Sequence, residues 1–259
     1  MGLLKREATA AVGIALVALV LFLLPPVCFQ ILAGAVVFLT SVEVAFLYRA
    51  RINPILLVLI PLLTVVWACL PLFLLNPLWI IALGFFLPAL AVLAQPEPLE
   101  GGSQRLLCGI ALPFMIGLPG GALMAMRTAL SRDEGLMLIL FILAVVWISD
   151  SLAYYVGKNL GKHRIAPRVS PKKTVEGTLA LLAGSVAITL AFFGLSATNA
   201  LAGLALGAAC FCGDLIQSAA KRDLGIKDSG TFFPGHGGLW DRTDSLWWVS
   251  LAVFLWKAA

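Results

Sequence analysis

"LMLILFILAVVWISDSLAYYV", Leu136–Val156, runs for twenty-one residues with a single charge, Asp150, toward its end. At 1.5 Å per residue a helix of that length covers a hydrocarbon core of about 30 Å. Comparable apolar runs recur on both sides of it: Ala8–Leu24, Val27–Leu47, Pro54–Leu75, Leu78–Ala94, Leu106–Met126, Thr178–Leu195, Ala200–Ala219, and a shorter one from about Leu239 or Ser245 to Trp256. An unpaired backbone amide in lipid costs several kcal/mol, and no ten-residue alternation of the barrel type is present, so these runs read as helices. The expected fold is all-α, a polytopic integral membrane protein with about nine transmembrane helices. Composition agrees: 61% of residues are hydrophobic, 12% are charged and the mean hydropathy is +1.02, against about 25% charged in soluble domains.

Charge orients the bundle. With the N-terminus cytoplasmic, fifteen of the eighteen Lys and Arg fall on the cytoplasmic side, leaving Arg127, Arg132 and Lys257 opposite, as the positive-inside bias requires. That bias, with a phosphate-rich site, accounts for the net charge of +5, so no nucleic-acid partner is implied. The first run follows Lys5 and Arg6 as a signal peptide would, but it is longer than the usual apolar region and ends at Pro25-Pro26 without an A-x-A site; it reads as a retained anchor. The five cysteines lie in or beside spans, at spacings that indicate neither a disulfide nor a zinc knuckle.

The polar, Pro- and Gly-rich segment Gln95–Gln104 divides the chain into residues 1–97, four nearly featureless spans, and residues 104–259, where the chemical side chains gather. In the first part only Glu43, Arg49 and Arg51 carry charge in or beside the membrane region, and Glu43 reads as a structural residue facing a neighbouring helix. Pro119-Gly120-Gly121 is expected to kink or interrupt the fifth span.

Asp150 lies eight residues before Lys158, and Asp214 seven before Lys221. Both therefore sit about 10 to 12 Å inside the cytoplasmic helix ends and can meet across one layer of the bundle. A lone ionised carboxylate at that depth costs at least about 2.5 to 3.5 kcal/mol, so each needs a proton, a lysine or a metal ion. Asp214, Ser218 and Lys221 recur at i, i+4 and i+7, one helix face. The following segment adds Arg222, Asp223, Lys227 and Asp228 before Pro234-Gly235-His236-Gly237-Gly238, a turn whose glycines let backbone N–H groups approach an anion.

Asp241 and Asp244, at i and i+3, point one way from a helix start. With Asp214 they form a candidate Mg²⁺ site, completed by water and phosphate oxygens. His236 has no second ligand at zinc spacing and is better placed against a phosphate or a base. The loop Gly157–Gly177 carries six cations; in it Ser170, Lys172, Lys173 and Thr174 set ammonium groups and hydroxyls just before a helix, where polyphosphate charge is neutralised. Anchoring to anionic lipid is the alternative use of these cations.

The spacing Ser218, Lys221-Arg222, Lys227-Asp228, Pro234 to Gly238, Asp241-Arg242, Asp244 resembles the signature of the phosphatidate cytidylyltransferases, also called CDP-diacylglycerol synthases, with every fixed position present. The resemblance covers roughly Ile148–Asp244; the first four helices resemble the family only in hydropathy. It implies reaction of CTP with phosphatidate to give CDP-diacylglycerol and pyrophosphate, with Mg²⁺ required, a monovalent cation such as K⁺ beside it, and a homodimer in the cytoplasmic membrane with the active site facing the cytoplasm. It also implies Asp214 and Asp241 as principal metal ligands. Asp244 and Asp150 are read as secondary ligands or orienters, and Lys172, Lys173, Lys221, Arg222 and Lys227 as phosphate clamps. His236, Gly237 and Gly238 then line the nucleotide pocket, with Asp228 and Arg242 beside them in the signature. Two rivals stay open: a transporter with broken helices, though no internal repeat is visible, and a CTP-dependent kinase acting on a lipid alcohol.

Overall fold

The computed structural model describes residues 13, 15–73, 77–94, 101–128, 130–230, 232 and 237–258. Among these the regular secondary structure is helical, with an isolated bridge between Arg164 and Thr174 in a connecting loop. A π-helical turn at Leu19–Leu23 precedes eight α-helices: α1 Pro26–Leu47, α2 Pro54–Phe73, α3 Pro77–Leu93, α4 Gly102–Thr128, α5 Arg132–Leu160, α6 Val175–Phe193, α7 Ala197–Asp223 and α8 Trp240–Ala258. Six of them, α1, α2, α4, α5, α6 and α7, are long and apolar enough to cross a membrane.

The expectation of nine such helices is therefore not reached among the described residues. Residues 8–12 and 14 of the first run, and residues 95–100 of the linker, lie outside them. In α3 the apolar helix is shorter, Ala82–Leu93. The last helix begins at Trp240, the earlier of the two starts considered, and its 19 residues reach about 28 Å, but Asp241, Arg242 and Asp244 make its opening turns polar. Large apolar side chains such as Ile31 (68%), Phe86 (68%) and Leu201 (67%) stand exposed on these helices. In water they would be aggregation sites; facing acyl chains they are ordinary. The chain is an integral membrane protein.

It forms two compact units, residues 1–132 with 228–242, and residues 133–227 with 243–259. In the first, α4 packs along α2 through glycines. A Cβ at Gly117 would run into the Thr64 carbonyl oxygen, and one at Gly121 into that of Ala68, so these small residues set the backbone separation, as in other lipid-embedded helix pairs. Trp67 and Phe114 meet edge to face across the same contact, with ring centroids 5.1 Å apart. The helix runs without interruption through Pro113 and Pro119. Of the kink or interruption expected at Pro119, the interruption does not occur, and the glycines beside it pack against Val37 and Ala68.

In the second unit, Gly177 and Gly184 of α6 approach α5 at Ala153 and Leu152, while Gly203 and Gly207 of α7 approach α6. Ser185 Oγ donates to the Gly203 carbonyl at 2.7 Å, satisfying a hydroxyl that is fully buried. Gly213 of α7 lies against Trp248 of α8. At one end, Phe141, Phe193 and Trp256 stack edge to face, with centroids 4.9 and 5.1 Å apart.

Candidate functional site

Between α5, α6 and α7 of the second unit lies a cavity of about 630 Å³, large enough for a small molecule. Asp150, Tyr154 and Lys158 enter it from α5, Lys172 and Lys173 from the α5–α6 loop, Thr174 and Thr178 from the start of α6, and Phe211 and Asp214 from α7. Gly157, Gly161 and Gly177 make the floor possible. A Cβ at Gly157 would stand 2.9 Å from Thr174 Oγ1, and one at Gly177 would stand 2.7 Å from the Ala153 carbonyl oxygen.

Local chemistry shapes the loop. Thr174 is the N-cap of α6, its Oγ1 accepting the Gly177 N–H at 3.1 Å, which fixes where the positive end of that helix opens beside the cavity. The flanking strand-like pairing joins Ile165 N–H to the Lys173 carbonyl and Val175 N–H to the His163 carbonyl. His163 Nδ1 lies 2.7 Å from Glu176 Oε1, clasping the loop to α6. The loop is held to α7 by Arg222, whose Nε donates to the Val169 carbonyl at 3.2 Å and whose Nη1 donates to that of Ile226 at 2.9 Å.

The Asp150 and Asp214 carboxylates share this cavity. Asp214 Oδ2 is 2.6 Å from Lys173 Nζ, and its Oδ1 accepts from Ser218 Oγ at 3.0 Å. Lys173 also lies 5.0 Å from the centre of the Phe211 ring. Asp150 Oδ1 takes the Cys210 thiol at 3.5 Å. Asp150, Asp214 and Asp244 of α8 are close enough to feel one another's charge, and Asp244 Oδ1 accepts the Ser245 N–H at 2.8 Å. The lysine partner weighed for Asp214 is thus present.

Among the described residues no three His, Cys, Asp or Glu side chains are grouped to hold a metal ion. Asp150 and Asp214 in one cavity, with the Ser218 hydroxyl on Asp214, nevertheless supply hard oxygen donors of the kind Mg²⁺ takes when water and phosphate complete its shell. The donor set fits such an ion as a partial shell, with Lys173 giving counter-charge to Asp214.

The other sequence-derived residues are distributed as follows. Lys221 is buried near the end of α7. Ser170 shapes the loop, its N–H donating to the Ala166 carbonyl and its own carbonyl accepting from Lys173 N–H. Lys227 closes the second unit's central segment, while Asp228, Gly237, Gly238, Asp241 and Arg242 belong to the first unit. His236, with residues 233–235, lies outside the described residues.

In the first unit Asp241 Oδ2 accepts the N–H groups of Ser229 at 2.7 Å and Gly238 at 3.0 Å. Gly237 has φ +85° and stands against Asp241, a conformation that glycine adopts without strain. Sequence reasoning missed Glu43 as a partner of this turn. Its carboxylate accepts from Ser229 Oγ and from the N–H groups of Leu239 and Trp240. It also missed Tyr154, Lys158 and Arg164 as cavity residues; their recurrence around the Gly157–Gly161 helix end was the available signal.

Comparison with known proteins agrees with this picture. The model of the cytidylyltransferase family matches residues 4–258. YnbB of Escherichia coli K12 is 36% identical over 174 residues, 63% of this chain and 58% of that protein. A phosphatidate cytidylyltransferase of Staphylococcus aureus strain COL is 41% identical over 125 residues, 46% of this chain and 48% of the relative. One from Synechocystis is 43% identical over 126 residues, 46% and 43% of the two chains. The chain therefore aligns with about half the length of these curated relatives. With a family model matched almost from end to end, the chain belongs to the cytidylyltransferase family.

Proposed function

We propose that this protein transfers the cytidylyl group of CTP to phosphatidate, giving CDP-diacylglycerol and pyrophosphate. The observation that carries the reading is the cavity in which Lys172, Lys173, Lys158 and Arg164 face Asp150 and Asp214 on helices of membrane-spanning length. Cations for phosphates and carboxylates for a metal ion, set where lipid and water meet, suit a reaction with one embedded and one aqueous substrate. Family membership and the relatives named phosphatidate cytidylyltransferase support the same choice.

In this reading an oxygen of the phosphatidate phosphate attacks the α-phosphorus of CTP. The bond from that phosphorus to the bridging oxygen of the β-phosphate breaks, and pyrophosphate leaves with its electron pair. No general base is needed, because a phosphate monoester is already anionic near pH 7. The protein's work is positioning and charge neutralisation. Lys172 and Lys173 hold phosphate oxygens at the open end of α6, where the first-turn N–H groups add positive potential. Lys221, Arg222 and Lys227 extend the cationic run along α7 and beyond it, and the signature turn with Gly237, Gly238, Asp241 and Arg242 contributes to nucleotide and metal binding.

Mg²⁺, when bound to Asp214 and Asp150 with Asp244 nearby, supplies Lewis-acid polarisation of phosphoryl oxygens. Asp241 is proposed as a further ligand, and K⁺ as a second cation. The enzyme is proposed to work as a homodimer in the inner membrane with the cavity toward the cytoplasm, as the asymmetry of Lys and Arg supports.

The reading is tested by pyrophosphate release from purified protein in mixed micelles. Release that requires CTP, phosphatidate and Mg²⁺ together, in equal amount with CDP-diacylglycerol, is expected. Release without phosphatidate, or CDP formed in place of pyrophosphate, contradicts it.

A further inference from the structure

The helices ahead of the linker carry few charged side chains, yet α1 delivers a carboxylate into the signature segment. Glu43 reaches residues 186 to 197 positions along the chain: its Oε1 accepts from Ser229 Oγ at 2.5 Å and from Trp240 N–H at 3.3 Å, and its Oε2 accepts from Leu239 N–H at 2.9 Å. Leu239 and Trp240 open α8, so these are N–H groups that a helix start leaves without intrahelical partners. Glu43 serves as the cap, and its negative charge suits the positive helix end. Gly238 stands so close that a Cβ there would collide with Glu43 Oε1 and Ser229 Oγ. The contact is built, with room for this carboxylate and no more.

A second carboxylate grips the same turn from inside it. Ser229 Oγ is 3.0 Å from Asp241 Oδ2, but a hydroxyl has one proton to donate. The shorter contact takes it to Glu43, and Asp241 Oδ2 is served by the N–H groups of Ser229 and Gly238. Those two N–H groups reach Asp241 only where Ser229 and Gly238 are held side by side, and Glu43 holds the segment on both sides of them through Ser229 Oγ and the Leu239 and Trp240 N–H groups.

We propose that Glu43 is a positioning residue for Asp241: by holding Ser229 Oγ and the Leu239 and Trp240 N–H groups, it fixes the turn that aims the Asp241 carboxylate. This rests on the reading of Asp241 as a residue of the cytidylyl-transfer site. It gives α1 a part in the reaction that its own apolar sequence does not announce. Both oxygens of Glu43 accept, so a glutamine must set an amide NH₂ against an N–H donor or give up one oxygen; aspartate keeps two acceptors but falls one methylene short.

Two readouts test it on the full chain. Hydrogen exchange is compared between wild type, Glu43→Gln and Ser229→Ala. In Glu43→Gln the Leu239 and Trp240 amides are expected to exchange at least ~10-fold faster, with α6 unchanged. In the cytidylyl-transfer assay, Glu43→Gln is expected to lower kcat by about 10- to 100-fold, the range for partners that orient a ligand, with KM for CTP within about twofold. Glu43→Asp should recover part of that loss, and Ser229→Ala should lose less than Glu43→Gln.

Unchanged exchange at Leu239 and Trp240, or faster exchange with kcat intact, overturns the proposal. So does faster exchange throughout the chain with kcat and KM failing together in both Glu43 variants. A wild-type chain that makes no CDP-diacylglycerol sinks the transferase reading instead, and the exchange comparison still decides whether Glu43 holds the turn.

Discussion

The ammonium of Lys173 stands 2.6 Å from the Oδ2 of Asp214, joining the loop before α6 to the middle of α7 inside one cavity. A lysine carried on a loop can turn from carboxylate to phosphate, whereas Asp214 is tied by Ser218 within its own helix. The pair therefore describes a cavity in which the carboxylate stays and the cation has a choice of partners.

Removing that cation should weaken the transition state more than the fold. Lys173→Met is expected to lower kcat/KM for CTP by about 10²- to 10³-fold, the loss typical when one preorganised donor to a developing charge is removed. Lys173→Arg should retain more activity than Lys173→Met. Initial rates at varied CTP check this, and a Met variant with near wild-type kcat/KM would contradict it.

Asp241→Asn keeps an oxygen for the Ser229 and Gly238 N–H groups while discarding the charge. The variant is expected to fold with a melting temperature close to wild type and to lose turnover at every pH, by at least about 10³-fold. Activity near normal at ordinary Mg²⁺ would remove Asp241 from the site.

Thr174 carries a structural duty alongside its place in the cavity wall. Thr174→Ala discards the cap on the Gly177 N–H and is expected to cost about 1 kcal/mol of stability, with Thr174→Ser recovering most of it. Equilibrium unfolding in detergent by a helix-sensitive probe measures the difference.

Gly117→Ala tests the α2–α4 contact, since its Cβ meets the backbone carbonyl of Thr64 rather than a side-chain tip that can swing away. A loss of about 1 to 3 kcal/mol is expected, as for other overpacked cores, with an equal loss of apparent stability in the presence and absence of CTP.

Much of this was legible because it is local or set by depth. The helices follow from apolar runs, and Asp150 and Asp214, which share a cavity, lie at similar distances, roughly two and a half to three turns, inside the ends of α5 and α7. The start of α8 at Trp240 follows the i, i+3 placement of Asp241 and Asp244. What stayed hidden is non-local. Nothing near Glu43 marks Ser229 and Leu239 as its partners, and nothing near Lys173 says which carboxylate its loop will bring it to. The interruption allowed for at Pro119 is a local signal, while the packing of Gly117 and Gly121 on α2 that accompanies a continuous helix is tertiary.

The most direct measurement follows a radioactive phosphorus from CTP. Purified protein is given phosphatidate, a polyprenol, Mg²⁺, and CTP labelled at either the α or the γ position. Label from the α position should enter a phosphatidate-derived lipid that co-migrates with CDP-diacylglycerol, and γ-label should leave in pyrophosphate. Transfer of γ-label to the lipid alcohol, or no labelled lipid from either CTP, would contradict the account.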